Sequence, residues 1–280
     1  MGRILILDYR GRLCHAVYWR IVKIPIYQVD AFTSRLFAGN PAAVCPLEKW
    51  LEPAQMQAIA GENNLAETAF FVRTGDCYHL RWFTPALEVD LCGHATLASA
   101  FVIFNYLDPA ATLVRFNSRS GELRVRRDGE LLSLDFPARP PRRSDPSAAL
   151  SAALGKAPRE LWESRDYMAL YDQEDDVRTL APDMQKLAEV GHFACIVTAP
   201  GKDVDFVSRF FGPAVGVPED PVTGSAHCTL APYWAERLGK TRLHALQLSP
   251  RGGELWCELS GDRVIISGRA VPYLEGVINV

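Results

Sequence analysis

The 280-residue chain has no apolar run long enough to cross a bilayer. Its longest, residues 95–107, is broken by Thr96, Ser99 and Asn105 and falls short of the roughly 18–20 residues a membrane helix needs. No membrane span is expected. Nor does either charge dominate: 30 Lys and Arg stand against 33 Asp and Glu, a formal net charge of −3. Neither nucleic acid nor an anionic membrane surface is then an expected partner. The seven cysteines (Cys14, Cys45, Cys77, Cys92, Cys195, Cys228, Cys257) include no C-x-x-C pair, which argues against a disulfide framework and a structural zinc site. Free thiols in a reducing cytoplasm are the simple reading. There is no glycine-rich phosphate loop. Gly224-Ser225-Ala226-His227 is not a nucleophile elbow, since His227 stands where the second glycine belongs. His94, His227 and the cysteines near them lack a recognised metal spacing, so no metal site is expected.

Residues 1–22 lack both a continuous apolar h-region and a small-residue cleavage site, so they are not read as a signal peptide. Ile4-Leu5-Ile6-Leu7 is short, and Arg10, Arg12 and Arg20 interrupt the residues after it. The first strand-like pattern is expected at Lys23, and residues 1–22 are set apart as a leader outside the fold.

What is present is ordinary globular composition, 48% hydrophobic and 22% charged, and an internal repeat. Arg81-Trp82-Phe83-Thr84-Pro85-Ala86 recurs as Arg209-Phe210-Phe211-Gly212-Pro213-Ala214. Cys92-Gly93-His94-Ala95-Thr96-Leu97-Ala98 is echoed later by Thr223-Gly224-Ser225-Ala226-His227-Cys228-Thr229-Leu230-Ala231, and Ser118-Arg119-Ser120-Gly121-Glu122-Leu123 by Pro250-Arg251-Gly252-Gly253-Glu254-Leu255. Three matches in one order, about 130 residues apart, indicate a duplicated domain rather than a solenoid. Two facing halves would leave a cleft between them, where small-molecule sites usually lie.

Each half reads as short strands around one long helix. Strands are expected at 26–32 and 42–45, on either side of a Gly39-Asn40-Pro41 turn signal, with a short helix at 53–60. A hairpin is expected from 66–72 and 78–83. Residues 94–107 carry helix formers on every side and almost no charge, the pattern of a buried helix. Its counterpart is expected over 225–238, closed by Gly239, with Pro232 kinking it or shortening its first segment. Further strands are expected at 254–259 and 264–267. The domain boundaries are expected at 23–136 and 147–280, the last strand being able to pair with the first half. The segment 137–146, rich in Pro and charge, is the crossover.

Candidate chemistry gathers where each buried helix starts. Gly93-His94 and Gly224-Ser225 put a glycine and a small polar group on a first turn, where free N–H groups and the helix dipole favour a carboxylate. The alternative is that both glycines only make tight turns. Glu67 shares a strand face with Ala69 and Phe71, so desolvation should raise its pKa toward the range of a general base or acid. The alternative is an edge glutamate reaching water. Asp220, just before the second helix, could cap that helix or serve as a second acid or base. His227 and Cys228 are expected to be packed.

Val29-Asp30-Ala31-Phe32, Gly39-Asn40-Pro41-Ala42-Ala43-Val44, Asn64-Leu65-Ala66-Glu67-Thr68, Leu91-Cys92-Gly93-His94-Ala95-Thr96 and Glu219-Asp220-Pro221-Val222-Thr223-Gly224-Ser225-Ala226-His227 together resemble the PhzF-like isomerases of the diaminopimelate-epimerase-like fold. The resemblance runs from about residue 24 to the end. It implies an α+β fold of two pseudo-symmetric domains, each a barrel-like antiparallel sheet around a central buried helix, with the site in the cleft between them. It implies proton transfer by Glu67, assisted by His94, Asp220 and Ser225, with Gly93, Thr223 and Gly224 binding a small carboxylate-bearing substrate. Neither metal nor organic cofactor is implied, and a homodimer is left open. A sister family uses two facing cysteines as racemase bases. Cys92 could be one of them, but no thiol lies near Pro221, which disfavours that reading. A non-catalytic metabolite-binding or scaffold protein on the same fold is the remaining alternative.

Overall fold

The computed structural model of the chain describes residues 22–280 in full and, ahead of them, the backbone of Arg3–Leu7 and Leu13–Val17. These two leader segments pair antiparallel as a sheet of their own. The expectation of a first strand at Lys23 is corrected on that point, because the short runs 3–7 and 13–17 already form a hairpin. The rest of the leader lies outside the described residues.

From Lys23 on, the fold is α+β and two-fold repeated. Lys23–Ala31, Asn40–Leu47, Glu67–Thr74, Cys77–Phe83, Leu113–Ser118, Gly121–Asp128 and Leu131–Pro137 lie side by side in that order. Glu160–Glu163, Tyr167–Leu170, Cys195–Pro200, Phe206–Gly212, Arg242–Gln247, Gly253–Ser260 and Arg263–Gly268 repeat it. Both runs are parallel at the same two steps, second to third and fourth to fifth, and antiparallel elsewhere. The runs join where Leu131–Pro137 pairs with Arg263–Gly268. Each half then sends its next strand across. Ala270–Asn279 pairs with Lys23–Ala31, and Arg142–Ser144, inside the expected crossover segment, pairs with Glu160–Glu163. The ladder ends at these two strands, so each half is wrapped like a barrel without being closed.

Each wrap encloses one helix, Gly93–Val102 or Gly224–Leu238. Both helices share one continuous core with inward-facing strand residues such as Val44, Ala69, Phe71, Trp82, Phe210 and Leu255. Alternation explains the outer layers. Phe70, between Ala69 and Phe71, turns the other way and packs with Met56 and Ile59 of the helix Pro53–Asn63. A third cluster, including Leu150, Val177 and Phe211, lies under the small helices of the second half.

The helix expected over 94–107 is α-helical only to Val102. It then loosens into a π-helical turn, Ile103–Leu107, with Asp108 N donating to Ile103 O at 2.7 Å. Pro232 does not divide the second helix, which runs unbroken over Gly224–Leu238. A proline has no N–H for the carbonyl four residues back. That carbonyl, on Cys228, instead accepts the backbone N–H of Arg139 at 2.8 Å. The repeat is also visible in salt bridges. Arg81 Nε meets Glu88 Oε1 at 2.7 Å and Arg209 Nε meets Glu219 Oε1 at 2.7 Å, each clamping a strand to the short return strand beside it. No helix among the described residues is long and apolar enough to cross a membrane.

Candidate functional site

The two central helices meet at their first turns. A methyl group built on Gly93 would stand 3.6 Å from Gly224 Cα, so the backbones touch with only glycine between them. At this junction a set of polar side chains is enclosed in an otherwise apolar core.

Glu67 begins the strand Glu67–Thr74, at its junction end. Its neighbours Ala69 and Phe71 belong to the shared core, as alternation requires. The carboxylate is sheltered, with 17% of its side chain exposed, and its Oε2 lies 3.0 Å from His94 Nε2. The ring N–H is not aligned along that line, and Oε2 is left buried without a hydrogen-bond donor. On its other edge, His94 Nδ1 faces Asn40 Nδ2 at 3.1 Å. Asn40 is completely buried and also donates to Asp220 Oδ1 at 2.7 Å and to Val222 O at 2.9 Å. With two carbonyl-type acceptors there, Asn40 must point its amide nitrogen this way. Its Oδ1 then has no partner. Asp220 Oδ2 accepts from Thr223 Oγ1 at 2.5 Å, and Gln247 closes the set, donating to Asp220 O and Thr223 Oγ1 and accepting from Thr223 N.

Burial pushes the Asp220 carboxyl up to about 6; His94 lowers it, Glu67 raises it, and the hydrogen bonds from Thr223 and Asn40 lower it. For His94, burial pulls the pKa down while Cys92 and Glu67 push it up, leaving it well above the usual imidazole range. Charge alone thus favours the imidazolium, whereas the donor on Asn40 opposes a proton on Nδ1. With Asn40 Nδ2 against Nδ1, the neutral ring is assigned its proton on Nε2, the nitrogen nearer Glu67.

Of the expected site residues, Glu67, His94 and Asp220 are brought together, linked through Asn40. Gly93 and Gly224 form the helix junction, and Thr223 holds Asp220. Asp220 does not cap the second helix, whose N-cap is Thr223, without a side-chain cap. Ser225 stands apart from the hydrogen-bonded set, its hydroxyl accepting from Arg165 Nη2 at 3.3 Å. His227 and Cys228 are buried. Asn40 and Gln247 were not expected. The tripeptide Gly39-Asn40-Pro41 looked like a turn, but Asn40 opens a strand. Gly39 makes the turn alone, at φ +65°, where a Cβ would lie 2.2 Å from Ala31 O.

Glu67, Cys92 and His94 bring a carboxylate oxygen, a thiol sulfur and an imidazole nitrogen within 4.8 Å of one another, donors that suit zinc. Two features oppose ligation: burial pushes the Cys92 thiol up to about 11, and Asn40 occupies the far edge of the imidazole.

The duplication shows what is particular to each half. Arg81 matches Arg209, so Phe83 matches Phe211. Thr68 lies opposite Phe83 and Cys195 opposite Phe211, so Glu67 matches Ala194. Ala43 lies beside Thr68 and Tyr167 beside Cys195, so Asn40 matches Ser164. Val89 lies opposite Trp82 and Asp220 opposite Phe210, so Asp220 matches Val89. His94 matches Ser225, and Cys92 matches Thr223. The polar groups are therefore not duplicated. The first half supplies Glu67, His94 and Asn40, the second Asp220.

Residues 29–276 match the family described as phenazine biosynthesis-like protein. An uncharacterized isomerase of Pseudomonas aeruginosa is 54% identical over 260 residues, covering 92% of this chain and 100% of that protein. The crystal structure of a phenazine biosynthesis protein of the PhzF family from Enterococcus faecalis superposes with a TM-score of 0.91 at 49% identity, covering 92% of this chain and 100% of that one. A hydroxyproline epimerase from Agrobacterium vitis shares the fold, with a TM-score of 0.62 at 9% identity over 92% of this chain and 93% of its own.

Proposed function

We propose that this chain, which belongs to the phenazine biosynthesis-like family, moves a proton within a small carboxylate-bearing metabolite by general acid–base catalysis, with no metal or organic cofactor. Family membership makes it an isomerase; the mechanism is our reading. The observation that carries it is Glu67 Oε2: a buried carboxylate oxygen with no aligned donor, at the junction of two helix N-termini. An unsatisfied buried acceptor is costly, and a substrate C–H or N–H brought against it would relieve that cost.

In this reading Glu67 takes a proton from substrate carbon, and the C–H electron pair moves into the adjacent conjugated system. The helix N-termini at Gly93 and Gly224, with Ser225 and the Nε2–H of His94, stabilise the charge that develops. A proton then returns to another atom of the same molecule, from the Glu67 carboxyl after exchange with solvent or by way of Asp220, whose pKa near 6 lets it give or take a proton near neutral pH. Substrate and product share one molecular formula. Asn40 positions His94 and Asp220 relative to each other.

A thiol-pair racemase is disfavoured because the position equivalent to Cys92 carries the Thr223 hydroxyl. A binding or scaffold protein is disfavoured because it would have no need of the unsatisfied carboxylate. We place the protein in the cytosol, a reading supported by the free thiols of the described residues. The deciding experiment is turnover of candidate small acids in heavy water. Deuterium should enter the product with the unaltered protein and not with Glu67→Gln. Exchange that survives Glu67→Gln would refute the mechanism.

A further inference from the structure

Arg165 and Asp166, in the loop between the strands Glu160–Glu163 and Tyr167–Leu170, have no counterpart in the first half. By the register of the two ladders they match Pro41 and Ala42, which carry no charge. The pair is nonetheless firmly built. Asp166 is 1% exposed, and Arg165 grips it with Nε at 3.1 Å from Oδ1 and 3.2 Å from Oδ2, and Nη2 at 3.0 Å from Oδ2. The guanidinium also lies over the Phe193 ring, 4.6 Å from its centroid. A fork held by a carboxylate on one edge and an aromatic face on another keeps little rotamer freedom.

The guanidinium is held at the candidate site. Nη2 reaches Ser225 Oγ at 3.3 Å, and Ser225 is the match of His94, one residue past the Gly224 that touches Gly93. Nη1, with its two N–H groups, makes no hydrogen bond among the described residues, and 38% of the side chain is open. Across the junction, Glu67 Oε2 and the Oδ1 of fully buried Asn40 are acceptors without partners. The junction thus pairs unused donors on the second half with unused acceptors on the first, the complement of a ligand that carries an anion at one end and hydrogen-bond donors at the other.

We propose that Arg165 is a substrate-binding residue. It receives the carboxylate of the substrate on Nη1, beside the Ser225 hydroxyl and the N–H groups of the second helix, and so restricts the enzyme to acids. This rests on the proposed function, because it takes the substrate to lie at the helix junction with its reacting hydrogen at Glu67. A guanidinium with a free edge binds a carboxylate more strongly than a helix terminus alone, through charge-assisted hydrogen bonds.

Malonate, an unreactive small dianion, tests this by calorimetric titration of the intact protein, with neutral malonamide as the control. The unaltered protein should bind malonate and not malonamide. Arg165→Ala should weaken malonate binding at least tenfold. Arg165→Lys keeps a charge against Asp166 but loses the fork, and should weaken it several-fold. Glu67→Gln should bind malonate more tightly than the unaltered protein, because it removes the negative charge that faces the dianion across the junction. The assignment is overturned if the unaltered protein ignores malonate up to about 10 mM, roughly ten times the 1 mM Kd of a ligand bound by about 4 kcal/mol, or if it binds malonamide equally well. Unchanged affinity in either folded Arg165 variant also overturns it. If Arg165→Ala fails to fold because Asp166 is left unpaired, Arg165→Lys decides. Loss of malonate binding in Arg165 variants while Glu67→Gln still exchanges deuterium would keep the anion site and discard the mechanism, so the two readings fail separately.

Discussion

Replacing Asp220 with Asn should make the protein gain stability, relative to the unaltered chain, as pH rises. Asp220 is buried, and its carboxyl titrates at about 6 in the folded chain against an ordinary 3.8. A carboxyl raised on folding is bound in its protonated form, so its contribution is fully present below 3.8 and is lost as pH rises through 6. Each pKa unit is worth about 1.4 kcal/mol, so the raised pKa costs the folded state about 3 kcal/mol once the group is ionised. About 0.6 kcal/mol of this is already lost at pH 4, so about 2.4 kcal/mol falls between pH 4 and pH 8. Asp220→Asn cannot ionise. It also loses an acceptor, because its amide nitrogen must face either Thr223 Oγ1 or Asn40 Nδ2. That loss is about 1–3 kcal/mol and does not depend on pH. The quantity to measure is therefore the variant-minus-unaltered difference in urea unfolding free energy at pH 4, 5, 6, 7 and 8, in which titrating groups other than the coupled His94 and Glu67 cancel. It should climb by about 2.4 kcal/mol, most steeply between pH 4 and 6. A flat difference would refute the picture of a desolvated Asp220 at the helix junction. A difference that falls with pH would mean that the site stabilises the ionised form.

Glu67→Gln should lower turnover by about 10²–10⁴-fold where proton transfer limits it, with the fold intact by circular dichroism. Asn40→Ala should lower turnover as well, because it frees His94 and Asp220 together, and the double variant with Asp220→Asn should be less than additive, as read from a double-mutant cycle. Gly93→Ala should fold normally, since the new methyl meets nothing closer than 3.6 Å, yet lose activity by standing at the helix junction; normal turnover would show that substrate does not approach there. Cys92→Ser should keep most activity and a thiol alkylator should act slowly, because burial holds that thiol at about 11.

The parts of the fold that repeat were legible in the sequence. The Arg-aromatic-Phe motif, the glycine before each buried helix and the alternation around Glu67 report local geometry that one strand or one helix turn enforces alone. The site was legible only where a residue contradicted its surroundings, as a carboxylate on the apolar face of Glu67, Ala69 and Phe71 does. Asn40 carried no such contradiction, because Gly-Asn-Pro is also what a simple turn requires. Its role depends on Asp220, 180 residues away. Gln247 did carry the signal, because it shares the buried strand face of Leu243 and Ala245, and the reading passed over it. Arg165 is a polar residue among polar neighbours, and only the register of the ladder brings it to the helix junction. Pro232 misled for a similar reason. Whether a helix breaks at a proline depends on whether another part of the chain can satisfy the freed carbonyl, and Arg139 does so here.

The exchange of strands between the halves bears on how the molecule can be made. Lys23–Ala31 is made well before its outer partner, Ala270–Asn279, with the whole second half between them. Until that strand is made, the first half therefore carries an edge of unpaired N–H and C=O groups, the kind of edge that other chains add to. The second half meets no such delay, because Arg142–Ser144 emerges just before the strand it pairs with. Completion of the earlier half thus depends on the ten-residue strand Ala270–Asn279, so the earlier half cannot finish folding until the later half has been made.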